Sequence, residues 1–287
     1  MNNFQLRRMI ERDLPAADRL REMAGWNQTL DDWRLLLGLE PEGCFVAIQG
    51  GEVIGTVTTT TYDRTLAWIG MMLVHPDHRR GGIGTGLMGM ALEYLRNEGV
   101  TCVRLDATPT GHRLYEKLGF ISEWTLTRHE RPASGTIASG EPLGGSVRDL
   151  SGKDWPAVAA LDVAGFGVSR TRLLSILARN CRRAVVLEVD ERVSNWAMIR
   201  PGARADYLGP IVGNAGCSVA PLVAVLLQSA KDRPVIWDVP DDNETAVALA
   251  RACGFGPVRP LTRMRLGPNT VIADPRRQFA IADPALG

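Results

Sequence analysis

A basic, glycine-rich loop after an apolar strand is the part of the chain best suited to chemistry. Residues 69–87 end in Arg-Arg-Gly-Gly-Ile-Gly-Thr-Gly-Leu, so that two arginines precede four closely spaced glycines. Glycine has no β-carbon, so its amide can approach an anion closely and its backbone can take a positive φ. A helix is expected from about Thr85, and the unpaired amides of its first turn attract anions. The pattern predicts a phosphate-binding loop.

This loop differs from two well-known types of phosphate-binding loop. A Walker loop requires Gly-Lys-Ser/Thr, which the chain lacks. Glycines 84, 86 and 89 match the dinucleotide-binding order G-x-G-x-x-G, with Asp106 about 20 residues further on. That fingerprint must begin where the strand ends, whereas Pro76 and both arginines intervene here. In a purely structural role, the glycines form a tight turn and the arginines a solvated corner.

A second pattern lies about thirty residues downstream. A strand at residues 102–106 is followed by a turn and by His-Arg-Leu-Tyr-Glu-Lys-Leu-Gly-Phe at residues 112–120. Together with the spacing Arg79-x-x-Gly82-x-Gly84, this segment resembles the GNAT superfamily of N-acetyltransferases. In that family the loop binds the pyrophosphate of acyl-CoA, and a tyrosine helix is closed by a glycine C-cap.

The resemblance implies acetyl-CoA as cosubstrate. In relatives the strand before the loop bulges, so that backbone amides face the acetyl and pantetheine carbonyls. Such donors stabilise an oxyanion by typically about 2.7–4 kcal/mol each. The implied cofactor-binding residues are Met72, Leu73, Val74, Arg79, Arg80, Gly81, Gly82, Ile83, Gly84 and Thr85.

The resemblance also implies a general acid, whereas the general base stays open. Tyr115 would protonate the leaving thiolate, because a phenol with a pKa of about 10 lies close to a thiol; alternatively it only packs in the core. Asp106 can take the amine proton directly or through water, or it caps the following turn. His75 can titrate near neutrality, but a solvated turn histidine is the plainer interpretation.

The composition bounds the class of protein. With 287 residues, 45% of them hydrophobic, the chain can form two domains of about 140 residues. A net charge of +1 argues against nucleic acid as main partner. No apolar run approaches the roughly 18 residues of a membrane span, and the N-terminus lacks a signal-peptide core. We therefore expect a cytoplasmic protein with no membrane partner.

Cysteine and histidine spacing predicts neither disulfides nor a metal site. The five cysteines are widely spread without a C-x-x-C pair, which is typical of free thiols. The four histidines form no H-x-x-x-H or mixed Cys/His spacing.

The sequence indicates that one α/β domain occurs twice along the chain. Asp13-Leu-Pro-Ala recurs as Asp154-Trp-Pro-Ala, and Gly119-Phe recurs as Gly254-Phe, while the shift declines from 141 to 135 positions. A slow one-way drift indicates duplication with small deletions. We predict two tandem GNAT-like domains, each a mixed, mostly antiparallel sheet flanked by helices. The expected divisions are a catalytic domain at 1–130, a Gly/Pro/Ser-rich linker at 131–145, a degenerate domain at 146–267 and a tail at 268–287 that packs on copy two.

The copies differ where chemistry is expected. Copy two has no arginine at residues 207–219, the place of the loop, and no tyrosine at 247–251, the place of Tyr115. We expect it to bind no CoA in the usual way and to shape the acceptor cleft instead. The residues expected on the acceptor side are Trp26, Asn27, Trp33 and Trp68 in copy one and Tyr207 and Asp238 in copy two. Their structural alternatives are core packing for the aromatic residues and an acidic helix start for Asp238.

The sequence thus suggests an acetyl-CoA-dependent N-acetyltransferase that acts on the primary amine of a small metabolite in a ternary complex, as monomer or homodimer. Two alternatives remain at this point. One is acetylation of a protein or peptide, and the other is a non-catalytic acyl-CoA-binding module.

Overall fold

The computed structural model describes residues 4–133, 145–214 and 217–287, which form two compact units. Unit 1 comprises Met1–Ser122, Met264–Thr270 and Pro284–Leu286. Unit 2 comprises Glu123–Arg263, Val271–Asp283 and Gly287. The linker predicted at residues 131–145 lies mostly outside the described residues.

Unit 1 is a sheet with helices on both faces. Its elements are β1 (Gln5–Arg8), α1 (Leu14–Met23), α2 (Leu30–Leu39), β2 (Phe45–Gln49), β3 (Glu52–Tyr62), β4 (Leu66–Val74), α3 (Ile83–Asn97), β5 (Cys102–Ala107) and α4 (Pro109–Lys117). The strands are ordered β1-β2-β3-β4-β5, and all neighbours are antiparallel except β4 and β5. This mixed, mostly antiparallel sheet confirms the predicted fold class.

Local sequence signals explain several of these elements. Thr29 caps α2 through reciprocal hydrogen bonds with Asp32. Gly50 and Gly51 take positive φ angles of 59° and 86° in the turn of the hairpin between β2 and β3. β3 is rich in threonine, whose branched side chain suits a strand.

The core of unit 1 lies between the sheet and α3. Leu87, Ala91 and Leu95 recur at helical spacing and are buried. They pack with Val103 and Leu105 of β5. The buried residues of α1 and α2 are not members of this cluster although both helices pack on β3, so these helices cover the opposite face.

Unit 2 repeats the arrangement with an additional short strand. Its elements are β6 (Ile121–Arg131), β7 (Ser146–Asp149), α5 (Trp155–Phe166), α6 (Thr171–Arg179), β8 (Arg183–Val189), β9 (Arg192–Arg200), β10 (Asp206–Gly213), α7 (Ala220–Gln228), β11 (Val235–Pro240), α8 (Glu244–Ala252), β12 (Gly256–Leu266) and β13 (Gln278–Ala280). The strand order is β12-β6-β11-β10-β9-β8-β7, and β13 pairs with β10.

The compact units do not follow the two sequence copies. From Glu123 onward β6 belongs to unit 2, where it pairs antiparallel with β11. Conversely, β12 belongs to unit 2 up to Arg263, and Met264 packs in the core of unit 1. The sequence did not predict that the end strands of both copies lie mainly in unit 2, and the division at residues 130 and 146 stays a prediction about the repeat.

A matched ion pair marks the duplication in both units. Arg7 donates hydrogen bonds of 2.7 and 2.8 Å to Asp13, and Arg148 donates bonds of the same lengths to Asp154. Each aspartate also accepts a backbone amide, from Ile10 or Ser151. The two pairs are separated by the predicted shift of 141 positions. None of the helices described is long and apolar enough to cross a membrane.

Candidate active site

In unit 1, β4 and β5 diverge after a short paired stretch. Their parallel pairing runs only from Leu66–Cys102 to Trp68–Arg104. The register between β3 and β4 then shifts, and Met71 takes a left-handed φ of 46° while its carbonyl accepts a 2.7 Å hydrogen bond from Thr56. The strand before the loop therefore bulges at Met71 and Met72, as the family resemblance implies. The two strands therefore form the sides of a wedge, named here the unit 1 wedge.

The predicted phosphate loop closes one end of this wedge. Arg80 and Gly82 take left-handed φ angles of 66° and 82°, which curl the chain into α3. Arg79 donates a 3.3 Å hydrogen bond to the Val74 carbonyl, and both arginines are exposed. The helix begins at Ile83, two residues before the predicted start, so the amides of its first turn point into the loop.

Gly84 lies where α3, β4 and α4 meet. A β-carbon at this position would lie 3.1 Å from Met72 Cε and 3.3 Å from Leu114 Cδ2, so a side chain would fill the wedge entrance. Glycine keeps this entrance open for a ligand. Backbone amides, two exposed guanidinium groups and the half-buried Met72 suit the pyrophosphate and the thin arm of acyl-CoA.

Tyr115 lies on the helix that flanks the wedge. Thr108 caps α4 and Pro109 occupies its first position, so the helix begins before the predicted His112. Tyr115 is 8% exposed, and its ring stands edge-on to Phe120 at 5.9 Å. Burial raises the pKa of its phenol, so the hydroxyl keeps its proton at neutral pH.

Asp106 faces the other side of the sheet. Val103 and Leu105 point into the α3 core, so by strand alternation Arg104 and Asp106 point toward the opposite face. Asp106 is half-buried and has an interaction partner, and its role as base stays a prediction. His75 caps the short turn Pro76–His78 and accepts the Asp77 amide through Nδ1.

The predicted acceptor residues of unit 1 are mostly interior. Trp33 and Trp68 are fully buried and Asn27 is 5% exposed, whereas Trp26 is half-buried. The Trp68 indole donates a 3.0 Å hydrogen bond to the carbonyl of Pro284. Of these four residues, only Trp26 offers appreciable surface to an acceptor.

Tyr207 and Asp238 lie in a buried polar network of unit 2. Asp238 is 0% exposed and accepts hydrogen bonds of 2.8 and 2.6 Å from Arg128. The Tyr207 hydroxyl donates to the same carboxylate at 3.0 Å. Because both groups already have partners and neither is exposed, their burial does not support the expected contact with substrate.

Unit 2 has its own diverging strand pair, and the tail of the chain fills it. The parallel pairing of β10 with β11 covers only Asp206–Tyr207 and Val235–Ile236. β13 pairs antiparallel with β10, while Trp237 Nε1 of β11 donates a 2.8 Å hydrogen bond to the Phe279 carbonyl. Residues 278–280 therefore occupy the space between the two strands, named here the unit 2 wedge.

Two more features separate unit 2 from unit 1. Aligning Gly254-Phe255 on Gly119-Phe120 places Ala250, fully buried on α8, at the position of Tyr115. Residues 215–216 of the segment that replaces the phosphate loop lie outside the described residues. The predicted packing of the tail on copy two is only partly right: Val271–Asp283 belong to unit 2, whereas residues 268–270 and Pro284–Leu286 belong to unit 1.

The cysteines form no disulfides in the described part of the chain. All five cysteines are free thiols, and no group of three or more His, Cys, Asp or Glu side chains is placed to hold a metal ion there.

Known proteins match both halves of the chain. The acetyltransferase (GNAT) family model matches residues 6–120, and a second acetyltransferase (GNAT) domain model matches residues 158–280. The uncharacterized N-acetyltransferase YitH of Bacillus subtilis is 23% identical over 83% of both chains. Mycothiol acetyltransferase of Streptomyces coelicolor is 31% identical over 33% of this chain and 32% of its own length. A crystal structure of a putative acetyltransferase from Pyrococcus horikoshii covers 100% of this chain and 97% of its own, with 25% identity and a TM-score of 0.81.

The fold and the unit 1 wedge define an acyltransferase of the GNAT type. With one matching domain in each half, the chain belongs to the GNAT acetyltransferase family as a tandem, two-domain member.

Proposed function

We propose that the protein transfers an acetyl group from acetyl-CoA to the primary amine of a small metabolite, and that unit 1 is the catalytic unit. The observation that carries this proposal is the unit 1 wedge, which ends at the first turn of α3 and is flanked by the helix of Tyr115. The corresponding wedge of unit 2 is filled by residues 278–280.

The loop and the bulged strand would hold the cosubstrate. Arg79, Arg80 and the backbone amides of residues 81–85 would bind the pyrophosphate, with Met72, Leu73 and Val74 along the arm. Acetyl-CoA would supply an activated acetyl thioester. Backbone amides near the bulge would stabilise negative charge on the acyl oxygen, at about 2.7–4 kcal/mol per donor in the transition state.

Two residues on opposite faces of the sheet suit the two proton movements. The Tyr115 hydroxyl holds a proton at neutral pH and can give it to a thiolate formed beside α4. Asp106, on the other face, can accept a proton from the incoming amine. This division supplies an acid and a base without requiring one group to serve both roles.

One observation favours a small amine over a peptide. Residues 284–286 lie against the β3–β4 face of unit 1, which leaves less room than an open peptide groove would need.

The test is CoA release by the purified full chain. Acetyl-CoA is supplied with amino acids, polyamines or aminosugars, with peptides bearing free amines, or with no acceptor, and the free thiol is measured. We expect release with at least one small amine, together with an acetylated product of the corresponding mass. Release with peptides alone would contradict the substrate class, and binding without any release would contradict catalysis.

A further inference from the structure

A short segment from the end of the chain is held on the face of unit 1 that lies opposite α3. Trp68 Nε1 donates a 3.0 Å hydrogen bond to the Pro284 carbonyl, and the Tyr62 hydroxyl donates a 2.7 Å bond to the Leu286 carbonyl. Both donors are buried, as are Ala285 and Leu286. Two directional bonds from neighbouring strands therefore fix the backbone of this segment, named here the tail wall (residues 284–286).

Gly70 allows the tail wall to lie directly on the sheet. A β-carbon at Gly70 would lie 2.7 Å from both Cα and Cβ of Ala285, too close for any real side chain. Gly70 comes immediately before the bulge at Met71 and two residues after Trp68, the last residue of β4 that pairs with β5. The tail wall therefore lies at the point where the unit 1 wedge opens.

Under the proposed function, this face would be the side from which the amine arrives. The loop, the first turn of α3 and Tyr115 occupy the other face, so the acyl arm and its leaving sulfur belong there. The amine must reach the acyl carbon from the remaining side, which Asp106 also faces. Thr58 pairs with Gly70 across the strands, and its buried Oγ1 has no hydrogen-bond partner among the described residues.

We propose that the tail wall forms one side of the acceptor cleft of unit 1 and limits the size of the amine that can reach the acyl carbon. The proposal rests on the proposed function, because it assigns a specificity element to that same reaction. Its segment lies in the tail that follows the second sequence copy, and it belongs to unit 1, so a short stretch of the tail would select the substrate of the catalytic unit.

Two variants are expected to change acceptor selectivity in opposite directions. Tyr62→Phe removes the hydroxyl that holds the Leu286 carbonyl, so the wall loosens and kcat/KM for a bulky amine rises relative to a small one, by about 3–10-fold. Gly70→Ala lifts the wall off the sheet into the cleft, so the same ratio falls by about 10-fold. Gly89→Ala is the matched control, since a β-carbon there meets nothing within 4 Å.

The measurement compares kcat/KM for a homologous series of primary amines with KM for acetyl-CoA in wild type and variants. We expect the KM for acetyl-CoA to stay within about twofold, because the wall lies on the face away from the loop. Folding is checked by thermal unfolding, and the milder Tyr62→Phe keeps the test decisive if Gly70→Ala does not fold.

The outcomes separate this proposal from the proposed function. A wild-type protein that acetylates amines while both folded variants keep its selectivity ratio overturns the tail wall alone. A wild-type protein that releases no CoA with any amine overturns both. Equal loss for all amines together with a raised KM for acetyl-CoA would also overturn the wall, because the effect would then lie in the cofactor site.

Discussion

The two wedges share their strand geometry and differ in what lies between the strands. In unit 2, β13 pairs with β10 and Trp237 of β11 bonds to the carbonyl of Phe279. In unit 1, within the described residues, β4 pairs with β5 only as far as Trp68, and no other strand lies on that side of it. Diverging strands leave backbone donors and acceptors that need partners. Unit 2 satisfies them with its own chain, and we infer that unit 1 satisfies them with acetyl-CoA.

The side chains that lie beside the two wedges differ as well. Tyr115 on α4 corresponds to Ala250 on α8, and the arginines of the phosphate loop have no counterpart at residues 207–219. An aspartate is shared, because Asp106 and Asp238 each lie three residues after a core valine. A duplicated wedge can therefore take on a purely structural role once the chain itself fills the space for the ligand.

The largest expected effect tests the chemical half of this comparison. Tyr115→Phe removes the proposed acid and should lower kcat by about 10²–10⁴-fold, with little change in acetyl-CoA binding. Tyr94→Phe is a matched control, since its hydroxyl bonds to Glu40 on another part of unit 1. Because burial raises the pKa of Tyr115, the wild-type pH profile should show no loss of activity from tyrosine ionisation near its usual pKa of about 10. Unchanged turnover in Tyr115→Phe would discard the acid role.

The next effect separates the two equivalent aspartates. Asp238→Asn leaves the buried Arg128 guanidinium without its carboxylate and should lower the free energy of unfolding by about 3–5 kcal/mol. Asp106→Asn should instead lower kcat at neutral pH, where the wild-type carboxylate can accept a proton. Denaturant unfolding and steady-state kinetics on both variants check this. If Asp106→Asn loses as much stability as Asp238→Asn and keeps its turnover, both aspartates are structural.

The sequence predicted the features that are local. The strand, the glycine loop, the helix after it and the glycine-capped tyrosine helix each have signals within a few residues, such as the positive φ of Gly82 and Gly119. The repeat was visible because Asp13-Leu-Pro-Ala recurs as Asp154-Trp-Pro-Ala, and the two aspartates keep the same ion pair in the structure. These signals also explain why the loop could be assigned to copy one alone.

The features that were not predicted depend on distant contacts. β13 has three residues, too few for a period, and its partner in β10 lies more than 60 positions away. The transfer of β6 to unit 2 likewise depends on pairing with β11, which no local pattern encodes. Trp33 illustrates a different limit, because an aromatic side chain near a cleft and one inside the core have the same sequence signature.

A third, intermediate effect tests whether one wedge or two bind the cosubstrate. Gly84→Val would place side-chain atoms against Met72 and Leu114 and should weaken acetyl-CoA binding by about 10–100-fold. Calorimetric titration of the wild type should give one site per chain, since residues 278–280 fill the unit 2 wedge. The matched control is again Gly89→Ala. Two sites per chain, or one site that survives Gly84→Val, would break the comparison.

The smallest expected effect concerns the Arg–Asp ion pair that both sequence copies preserve. The hydrogen bond from Arg148 lowers the pKa of Asp154. Burial tends to raise the pKa of Asp13, but the hydrogen bonds from Arg7 and from the Ile10 amide outweigh it, so that pKa is lowered as well. A folded-state pKa below the unfolded value of about 3.9 stabilises the protein above that pH, and the contribution is lost as the pH falls through the folded pKa.

Asp13→Asn and Asp154→Asn should therefore each lower the free energy of unfolding by about 1 kcal/mol at pH 7, because the arginine partners are partly exposed. The difference from wild type should shrink below about pH 4. Denaturant unfolding at several pH values measures this, with the exposed Asp232→Asn as control. A loss that is independent of pH would contradict the ion-pair explanation. Equal losses in both units would mean that the Arg–Asp ion pair at the start of each copy was kept because it stabilises the fold, independently of whether the wedge of that unit still holds a ligand.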